Sequence, residues 1–481
     1  MEIHQNDDTN NNYRKGLREM DKVIVDYLKE LGCDTVIDEK QEQRVKTWLD
    51  EYKGKTKDYI KRIYNGKKYI KYEVKTLGLP AKVCEDLADF FFNEKLDITI
   101  SKKSVNDKIQ KCLEQNKFIK NSNKLLQLVK ALGTGAYVPY LDNNVLRINY
   151  VNATNIVILS ATAESIQDVL FYDIKETQEG LEYRINTHIL EDDGYVIYNK
   201  KMILKDKQLI DIDLGETAEI HTKSMLPQFA IITTPEVNNK DIDSPYGISC
   251  YANAWDEVVA TDTCFDSMYN EVYLGKKRVY VKQGAMNIAL DDNGQAVPVF
   301  DPDDVLFYSL PGDDDNKELV KESTADLRIE EISQALQYNL NLVSSKVGLG
   351  QNFYKFKDGQ VYVNTENIMA SNSEVFRKIK KQENILTDAI NDLIYAIAYL
   401  IGIKDKFTIS IYYDDSIIEN TEKIQKQAQT EYNMGLISMA QYYRDVYGLK
   451  EQEAEKFAQQ MIEERNKEQV PDITEYQAFG L

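Results

Sequence analysis

The longest regular pattern in the sequence is helical and covers Glu366–Ile401. Apolar side chains at Ile379, Leu386, Leu393 and Leu400 recur every seven residues, which places them on one face of a helix. A helix of about 36 residues is about 54 Å long at about 1.5 Å per residue, well beyond the usual length in globular proteins. Other parts of the chain must therefore pack along the length of this helix.

The charge balance excludes several classes of function. With 59 basic and 79 acidic residues among 481, the chain has a net charge of −20, and a surface that negative repels duplex DNA and anionic lipid at long range. The longest apolar stretch, Leu393–Ile403, is well short of the about 20 residues that span a bilayer. The segment Met1–Met20 is polar and does not form a secretory signal. We therefore expect a soluble protein made in a cytosol, without a membrane or a basic nucleic-acid groove.

Residues suited to catalysis or metal binding are sparse. The three histidines, His4, His188 and His221, are far apart in the sequence, and no serine or cysteine has a nearby histidine. No phosphate-binding P-loop occurs. We therefore expect no enzyme activity, no cofactor, and no catalytic or metal site.

The cysteines and the acidic loops favour ordinary structural interpretations. The five cysteines form no CxxC pair and no zinc spacing, which is typical of small buried residues in a reducing compartment. Acidic stretches at 301–304 and 313–315 lack the spacing of a calcium-binding loop and favour solvated charge. The cysteines are Cys33, Cys84, Cys112, Cys250 and Cys264.

Hydrophobic periodicity divides the chain into helical and β-rich parts. From Gly133 the period changes from 3.6 to two, which predicts short strands up to Thr233. A lone strand at Lys406–Tyr413 is predicted to pair with this distant β region, and further helices end the chain. The predicted fold class is α+β, mainly helical. The predicted N-terminal elements are helices at Leu17–Leu31, Glu39–Tyr64, Ala81–Asn93, Val105–Asn116 and Lys120–Leu132 and a strand at Leu96–Ile100.

Two helical patterns of similar length, Tyr251–Leu274 and Ala325–Val347, flank a β-rich insertion. The simplest construction is a helix hairpin that carries a small β module at its far end. Such a hairpin keeps an apolar stripe that one copy cannot cover, so neighbouring copies should bury it. The acidic residues predicted to face away from the apolar side of the first helix are Asp256, Glu257, Asp266 and Glu271.

Two local groups of basic residues stand out from the acidic background. The first is Lys276, Lys277 and Arg278 with Lys282, and the second is on the long helix, off its apolar seam. Both favour surface solubility, and the alternative is a contact with nucleic acid or with an acidic neighbouring subunit. The second group is Arg377, Lys378, Lys380 and Lys381.

Several local motifs occur in a distinctive order, although none of them is a catalytic signature. They are Tyr246–Ser249 (YGIS) before the first helix of the pair, Leu319–Ile332 (LVKESTADLRIEEI) leading into the second, Lys346–Gly350 (KVGLG) after it, and Asp414–Ile418 with Asn420 followed by Gly435–Ser438 (GLIS). By their order and spacing, the chain from about Trp48 to Arg465 resembles the portal proteins of tailed phages. The resemblance is to the branch found in long-tailed phages of Gram-positive bacteria.

The resemblance implies a ring, usually of twelve subunits, whose parts are called wing, stem, clip, tunnel loop and crown. The arm at 1–16 has no counterpart in the family. The implied division is a flexible arm at 1–16, a wing at 17–250 with helices before a β-rich region, stem helices at 251–274 and 325–347, a clip at 275–324, a tunnel loop at 348–364, a long wing helix and returning strand at 365–415, and a crown at 416–481.

The resemblance also implies a function at one capsid vertex of the virion, after assembly in the host cytoplasm. The ring is the channel for DNA packaging and ejection and the docking platform for terminase and head-tail connector proteins. Implied partners are the chain itself, the terminase large subunit, head-completion and connector proteins, the major capsid and scaffolding proteins, and double-stranded DNA without sequence specificity. The alternative is another virion structural protein, such as a tail or baseplate component without a DNA channel.

Two sets of candidate site residues follow from this resemblance. For the tunnel loop a surface turn between helices is the alternative. The candidate channel residues are Gly348, Gly350, Gln351, Asn352, Phe353, Tyr354, Lys355 and Lys357, and the candidate partner-docking residues of the clip are Asp313, Asp314 and Asp315.

Overall fold

The computed structural model describes residues 23–33, 38–64, 68–92, 96–162, 165–178, 180–205, 208–275, 278–282, 288–290, 296–298, 307–310, 320–323, 326–357, 360–363, 372–413, 428–447, 449 and 451–468. The predicted arm at 1–16 and the acidic loops at 301–304 and 313–315 lie outside these residues.

The first described elements are two helices and a β-hairpin. Helix α1 covers 23–30, and α2 (Glu39–Tyr52) begins where the Asp38 carboxylate accepts the backbone N–H groups of its first turn. Gly54 (φ +65°) follows α2, and the chain then forms an antiparallel hairpin of β1 (Ile60–Tyr64) and β2 (Tyr69–Glu73). The prediction of one helix over Glu39–Tyr64 is therefore wrong beyond Tyr52.

Helices α3 to α5 and a short strand complete the N-terminal part. The side chains that line their common core include Val83, Leu87, Ile109, Leu126 and Val129. These elements are α3 (Leu79–Asp89), β3 (Asp97–Ile100), α4 (Lys103–Gln115) and α5 (Phe118–Leu132).

The β-rich region predicted after Gly133 is present as two sheets. One has the strand order β12-β4-β5, and the other has the order β10-β9-β8-β7-β6 with β11 paired to β9. All their neighbouring strands are antiparallel. The strands are β4 (Thr134–Asp142), β5 (Val145–Asn152), β6 (Ile156–Ala161), β7 (Ile166–Thr177), β8 (Gly180–Glu191), β9 (Gly194–Lys205), β10 (Gln208–Ile212), β11 (Glu219–His221) and β12 (Ala230–Thr233).

A helix pair with a β insertion follows, as the sequence predicts. Helices α6 (Trp255–Leu274) and α7 (Ile329–Lys346) flank five short strands in the described part of the insertion. Strand β13 pairs with β16 in parallel and with β17 antiparallel, and β14 pairs with β15 antiparallel. The strands are β13 (Arg278–Lys282), β14 (Ile288–Leu290), β15 (Ala296–Pro298), β16 (Phe307–Leu310) and β17 (Val320–Ser323).

The long helix is confirmed as α8 (Asn372–Leu400) of 29 residues, and 365–371 lie outside the described residues. Its predicted apolar face is buried: Leu386 and Leu393 have no exposed surface, and Ile379 is 2% exposed. The helix is central to the largest core cluster, which also contains side chains of α3, α5, β12 and α7. Other parts of the chain thus do pack along the length of this helix.

The remaining elements return to the N-terminal part or end the chain. Strand β20 (Ile409–Tyr412) pairs antiparallel with β3 (Asp97–Ile100). The predicted lone strand therefore pairs with a strand among the N-terminal helices, and the prediction of a partner within the main β region is wrong. The others are β18 (Tyr354–Lys357) and β19 (Gln360–Val363), which form a hairpin, and α9 (428–433), α10 (Met439–Tyr447) and α11 (Glu451–Glu468).

No helix in the described part of the chain is long and apolar enough to cross a membrane. Among the same residues, no group of three or more His, Cys, Asp or Glu side chains could hold a metal ion.

Candidate functional site

Ion pairs fix helices α6 and α7 to each other at both ends. Near the start of α6, the Glu257 carboxylate lies 2.6 Å from the Lys346 ammonium at the end of α7. Near the other end, Arg328 donates to both carboxylate oxygens of Glu271, at 3.0 and 2.9 Å. The two helices are therefore antiparallel and joined at both ends, and we call the pair the α6–α7 rod.

The surface of this helix pair carries apolar side chains that the described part of the chain leaves exposed. Tyr338 is 65% exposed, Tyr273 57% and Val272 53%. Tyr273 also stacks on Tyr269, with ring centroids 6.2 Å apart. Large apolar side chains grouped on one element mark a surface for association. The prediction of a stripe that one copy cannot cover is wrong for α7, whose apolar positions Leu336, Leu340 and Val343 are buried within the chain. On α6, the predicted apolar positions Tyr269 and Val272 are exposed.

The inner acidic side chains of α6 hold the β1–β2 hairpin. Asp262 accepts hydrogen bonds from the Tyr59 hydroxyl (2.5 Å) and the Leu77 N–H (2.8 Å). Asp266 accepts from the Tyr72 hydroxyl (2.6 Å) and the Lys75 N–H (2.9 Å). Both carboxylates are buried, so the prediction that Asp266 faces away from the packed side is wrong. The hairpin covers it, and helical periodicity alone contains no sign of that partner.

A third carboxyl group lies buried beside this contact. Glu51, near the end of α2, is 7% exposed, and its Oε2 has no hydrogen-bond partner in the described residues. Burial raises the pKa of Glu51 to about 8, and the nearby Asp58 and Asp50 carboxylates act in the same direction.

The raised pKa of Glu51 predicts a pH-dependent stability. Since the folded pKa is about 8 and the unfolded pKa about 4.3, the folded state binds more protons between these values. The free energy of unfolding should therefore fall as pH rises through this window. Glu51→Gln removes the titration, so we expect a higher Tm than wild type at about pH 8 and no such gain near pH 5.

The control for this prediction is Glu114→Gln, the same substitution at an exposed position of α4 that does not contribute to the raised pKa of Glu51. Melting curves of both variants and wild type at several pH values check it. If the Tm of Glu51→Gln changes with pH as the Tm of wild type does, the raised pKa of Glu51 is not the cause of the pH dependence.

The segment after α7, predicted as a tunnel loop, begins as part of the core. Phe353 is 2% exposed and Tyr354 is fully buried, and the Tyr354 hydroxyl donates to Asp86 at 2.9 Å. Gln337 of α7 donates to the Tyr354 carbonyl (2.8 Å) and accepts the Phe356 N–H (2.9 Å). Both of these candidate channel residues therefore have their rings packed inside the chain.

The other candidate residues of this segment divide into two groups. Gly348 has φ +77° and Gly350 is buried, so both serve the turn. Gln351 and Asn352 are exposed and Lys355 is half-buried. Lys357 belongs to strand β18, and its side chain lies outside the described residues, as do Asp313, Asp314 and Asp315. Of the exposed side chains, only Gln351 and Asn352 sit at the tip of the turn.

A lysine of the long helix anchors the start of this segment. The Lys378 ammonium lies 2.6 Å from the Glu236 carboxylate and donates to the Val347 carbonyl. A Cβ on Gly348 would strike the Lys378 side chain. Lys378 is therefore an internal contact rather than part of a solvated basic surface, whereas Arg377 and Lys381 are exposed.

Sequence reasoning missed a buried cation next to this anchor. Lys130 of α5 is 1% exposed, and its ammonium donates to Gln382 of α8 at 2.5 Å. Burial lowers the pKa of Lys130 to about 8, against the opposing effect of Glu236. The periodicity of α5 contains no signal for this, because a lysine on a helix is ordinarily a surface residue. Lys130 joins α5 to the long helix.

The YGIS motif before α6 forms a tight junction. A Cβ on Gly247 would overlap the backbone of Gly133, and the reverse is also true. Ile248 donates its N–H to the Thr234 hydroxyl (3.1 Å), which in turn donates to the Ile248 carbonyl (2.7 Å). Tyr246 accepts the Ile158 N–H at 2.7 Å. The motif thus joins α5, both sheets and the start of α6.

Gly247→Ala should destabilise the protein through this backbone contact. The methyl group has no space, so we expect a loss of about 2–3 kcal/mol in the free energy of unfolding. Gly215→Ala is the control, since Gly215 has φ +55° but open space around it, and we expect about 1 kcal/mol there. Denaturant unfolding measures both, and equal losses would show that the close approach is unimportant.

One comparison with known proteins identifies a family. The family model described as "Phage portal protein, SPP1 Gp6-like" matches residues 33–469. No curated protein sequence matches the chain. Among solved structures, a chain of "Neck of empty GTA particle computed with C6 symmetry" is similar, with 11% identity and a TM-score of 0.36 over 78% of this chain and 90% of that chain. That structural likeness is too weak to support an argument.

Proposed function

The chain belongs to the SPP1 Gp6-like family of phage portal proteins, a structural family, and from this we propose that it forms the ring at one capsid vertex through which DNA is packaged and ejected. The observation that supports the proposal most is the family match over nearly the whole chain together with the rod formed by α6 and α7. We place the chain in the virion of a long-tailed phage of Gram-positive bacteria, assembled in the host cytoplasm.

In this proposal the α6–α7 rods of neighbouring copies line up around the axis. Their exposed apolar side chains, including Val272 and Tyr338, would be buried between copies, which is the usual role of such a surface in closed rings. The number of copies is proposed to be twelve. The wing, stem, clip and crown boundaries given from the sequence are retained as part of the proposal.

The ring would act by guiding DNA rather than by binding it tightly. Each phosphate that a cationic side chain neutralises deepens binding, whereas a chain of net charge −20 repels the duplex and lowers friction along a channel. The turn that exposes Gln351 and Asn352 is the proposed constriction, with neutral side chains toward the phosphates. No sequence specificity is expected.

The energy for packaging would come from a separate terminase, since the sequence has no P-loop. The β insertion between α6 and α7 is proposed to dock the terminase large subunit first and head-completion or connector proteins afterwards. Asp313, Asp314 and Asp315 remain the proposed acidic contact for basic side chains of those partners. The major capsid and scaffolding proteins would surround the ring.

Light scattering and negative-stain imaging of the purified full chain test the proposal. We expect a ring of several hundred kDa with an axial hole wide enough for duplex DNA. A 55.5 kDa monomer at high concentration, or a closed assembly without a hole, would overturn it. A ring without a hole would favour the alternative of a tail or baseplate component.

A further inference from the structure

The β1–β2 hairpin is strongly basic in an acidic protein. Between Lys53 and Lys75 the sequence has nine basic and two acidic residues, a net charge of +7, in a chain whose net charge is −20. The hairpin, Ile60–Tyr64 and Tyr69–Glu73, is attached to α6 by the buried hydrogen bonds of Tyr59 and Tyr72. Because this positive charge is concentrated on a hairpin that is attached to α6, we expect it to form a binding surface and not only to increase solubility.

Strand register shows which side chains point away from α6. Tyr72 faces α6 and is paired with Lys61, so the opposite face carries the pairs Arg62–Lys71 and Tyr64–Tyr69. Tyr69 is 72% exposed and Tyr64 57%, and their rings lie 5.2 Å apart. This outward face combines cations with two large aromatic rings, and Ile60 at 42% exposure extends it.

The outward face is not explained by the stability of the hairpin itself. Arg62 lies directly opposite Lys71, and like charges in that relation are destabilising. The Lys71–Glu73 pair, at 3.8 Å between largely exposed side chains, offsets this little. Within the described residues the sheet has only two strands, an arrangement that is marginal alone. An acidic partner would relieve the repulsion and cover the rings.

An acidic groove elsewhere on the same chain has matching properties. It has a volume of about 1270 Å³ and is lined by β6, the segments around Met225 and Ile242, and one face of α8. Met225 is 60% exposed and Ile242 77%. The volume exceeds the about 300–1,000 Å³ of a small-molecule pocket, so the groove suits a peptide segment with large side chains.

The charged side chains among the described lining residues of the groove are all negative. No Lys, Arg or His is among the lining residues that the structure describes. Of the five aspartates among them, Asp38 caps α2 and Asp241 pairs with Arg44 at 3.3 Å, which leaves Asp243, Asp388 and Asp392. Burial raises the pKa of Asp392 to about 6, and the negative charge of Asp388, one helical turn away, acts in the same direction. A raised pKa of this kind is typical of a carboxylate that has no counter-ion.

We propose that the outward face of the hairpin of one copy docks in the acidic groove of a second copy, with Arg62 and Lys71 against Asp388 and Asp392 and the Tyr64–Tyr69 pair against Met225 and Ile242. The inference rests on the proposed ring, and it names a contact between subunits. The two surfaces are different parts of one chain, and contacts between unlike patches join copies head to tail, which is how rings close.

Charge complementarity and exposed aromatic rings favour a second copy over DNA as the occupant. A duplex presents phosphates to the outside and would leave the tyrosine rings exposed, since bases stack on such rings only in single strands. The groove offers both carboxylates and apolar side chains. Binding of duplex DNA by the hairpin is therefore the competing outcome of the test.

The test compares charge-reversal variants of the full chain. We expect each of two double variants to raise the concentration needed for assembly at least tenfold, as measured by light scattering. They are Arg62→Glu/Lys71→Glu and Asp388→Lys/Asp392→Lys. The variant that combines all four substitutions should assemble at nearly the wild-type concentration. Lys120→Glu/Lys124→Glu, which changes exposed lysines on α5, is the control and should assemble as wild type does. Circular dichroism confirms that each variant is folded.

A cross-link decides the case if a variant does not fold. Two copies with tags of different size are mixed, one with Tyr69→Cys and the other with Ile242→Cys. A diazene dicarboxamide is the oxidant: it takes two electrons and two protons from the two thiols, which form a disulfide. We expect a band that contains one copy of each, absent with wild-type copies. No such band, together with unchanged assembly of the charge variants, would overturn the contact.

The outcomes separate the contact from the ring. A wild-type ring with unaffected hairpin variants would refute only the contact, whereas failure of wild type to form a ring refutes the proposed function. Hairpin variants that assemble normally but lose retention of a short DNA duplex would assign the hairpin to DNA and refute its place in the groove.

Discussion

Leu393→Asp should leave no folded protein at 25 °C. Leu393 has no exposed surface and lies in the largest core cluster, on the seam that α8 presents to the rest of the chain. Loss of the leucine side chain alone costs about 2–5 kcal/mol, and a carboxylate without a partner at that depth adds several more. A domain has about 5–15 kcal/mol of stability in total, so the sum exceeds what the fold can lose. Leu386→Asp should behave in the same way, because Leu386 is buried to the same degree on the same seam.

Asn384→Asp is the matched control, since Asn384 is exposed on the same helix. It places the same charge two residues from Leu386 and should unfold within about 0.5 kcal/mol of wild type. Circular dichroism and the soluble fraction after expression measure both. A soluble, cooperatively unfolding Leu393→Asp protein would mean that the seam of α8 does not hold the core together.

The seam of α8 could be predicted because its signal is local and periodic. A seven-residue repeat in a long helix needs no knowledge of what packs against it, and the same holds for α6, α7 and the strands after Gly133. What the pattern lacks is the identity of the partner. For this reason the strand Ile409–Tyr412 was predicted correctly as a strand and was assigned to the wrong region.

The misread elements are those whose conformation depends on distant contacts. Ile60–Tyr64 is short, and its helical and strand patterns are hard to tell apart without the hairpin partner. Asp266 reads as a solvent residue until the Tyr72 hydroxyl and the Lys75 N–H are placed against it. The contacts that decide these structures lie outside the local pattern: the partner strand in the first case, and residues 194 and 191 positions away in the second.

The candidate site was predictable in position and less so in detail. The turn after α7 is where the KVGLG motif indicates, because Gly348 needs a positive φ. The inward direction of Phe353 and Tyr354 follows from Gln337 and Asp86, which hold the backbone and the hydroxyl. No local pattern specifies those two partners. The assignment of Gln351 and Asn352 to a channel stays a prediction.

Val272→Glu combined with Tyr338→Glu should produce a folded chain that does not assemble. Both side chains are more than half exposed on the α6–α7 rod, so the fold loses little when they become polar. In the proposed ring a neighbouring copy covers this surface, and each introduced carboxylate would be buried without a counter-ion. Light scattering should therefore report a 55.5 kDa species where wild type gives several hundred kDa, and the Tm of that species measures its folding.

Ser267→Glu with Gln334→Glu distinguishes a specific apolar contact from a general effect of charge on the rod. These two residues are exposed and polar on the same helices, so the substitutions add the same charge without removing apolar surface. If the two pairs of substitutions weaken assembly equally, electrostatic repulsion between rods explains the loss and the apolar stripe does not join the copies. If Val272→Glu with Tyr338→Glu leaves a full ring, the rods do not face one another, and the hairpin and groove would have to account for the association between copies.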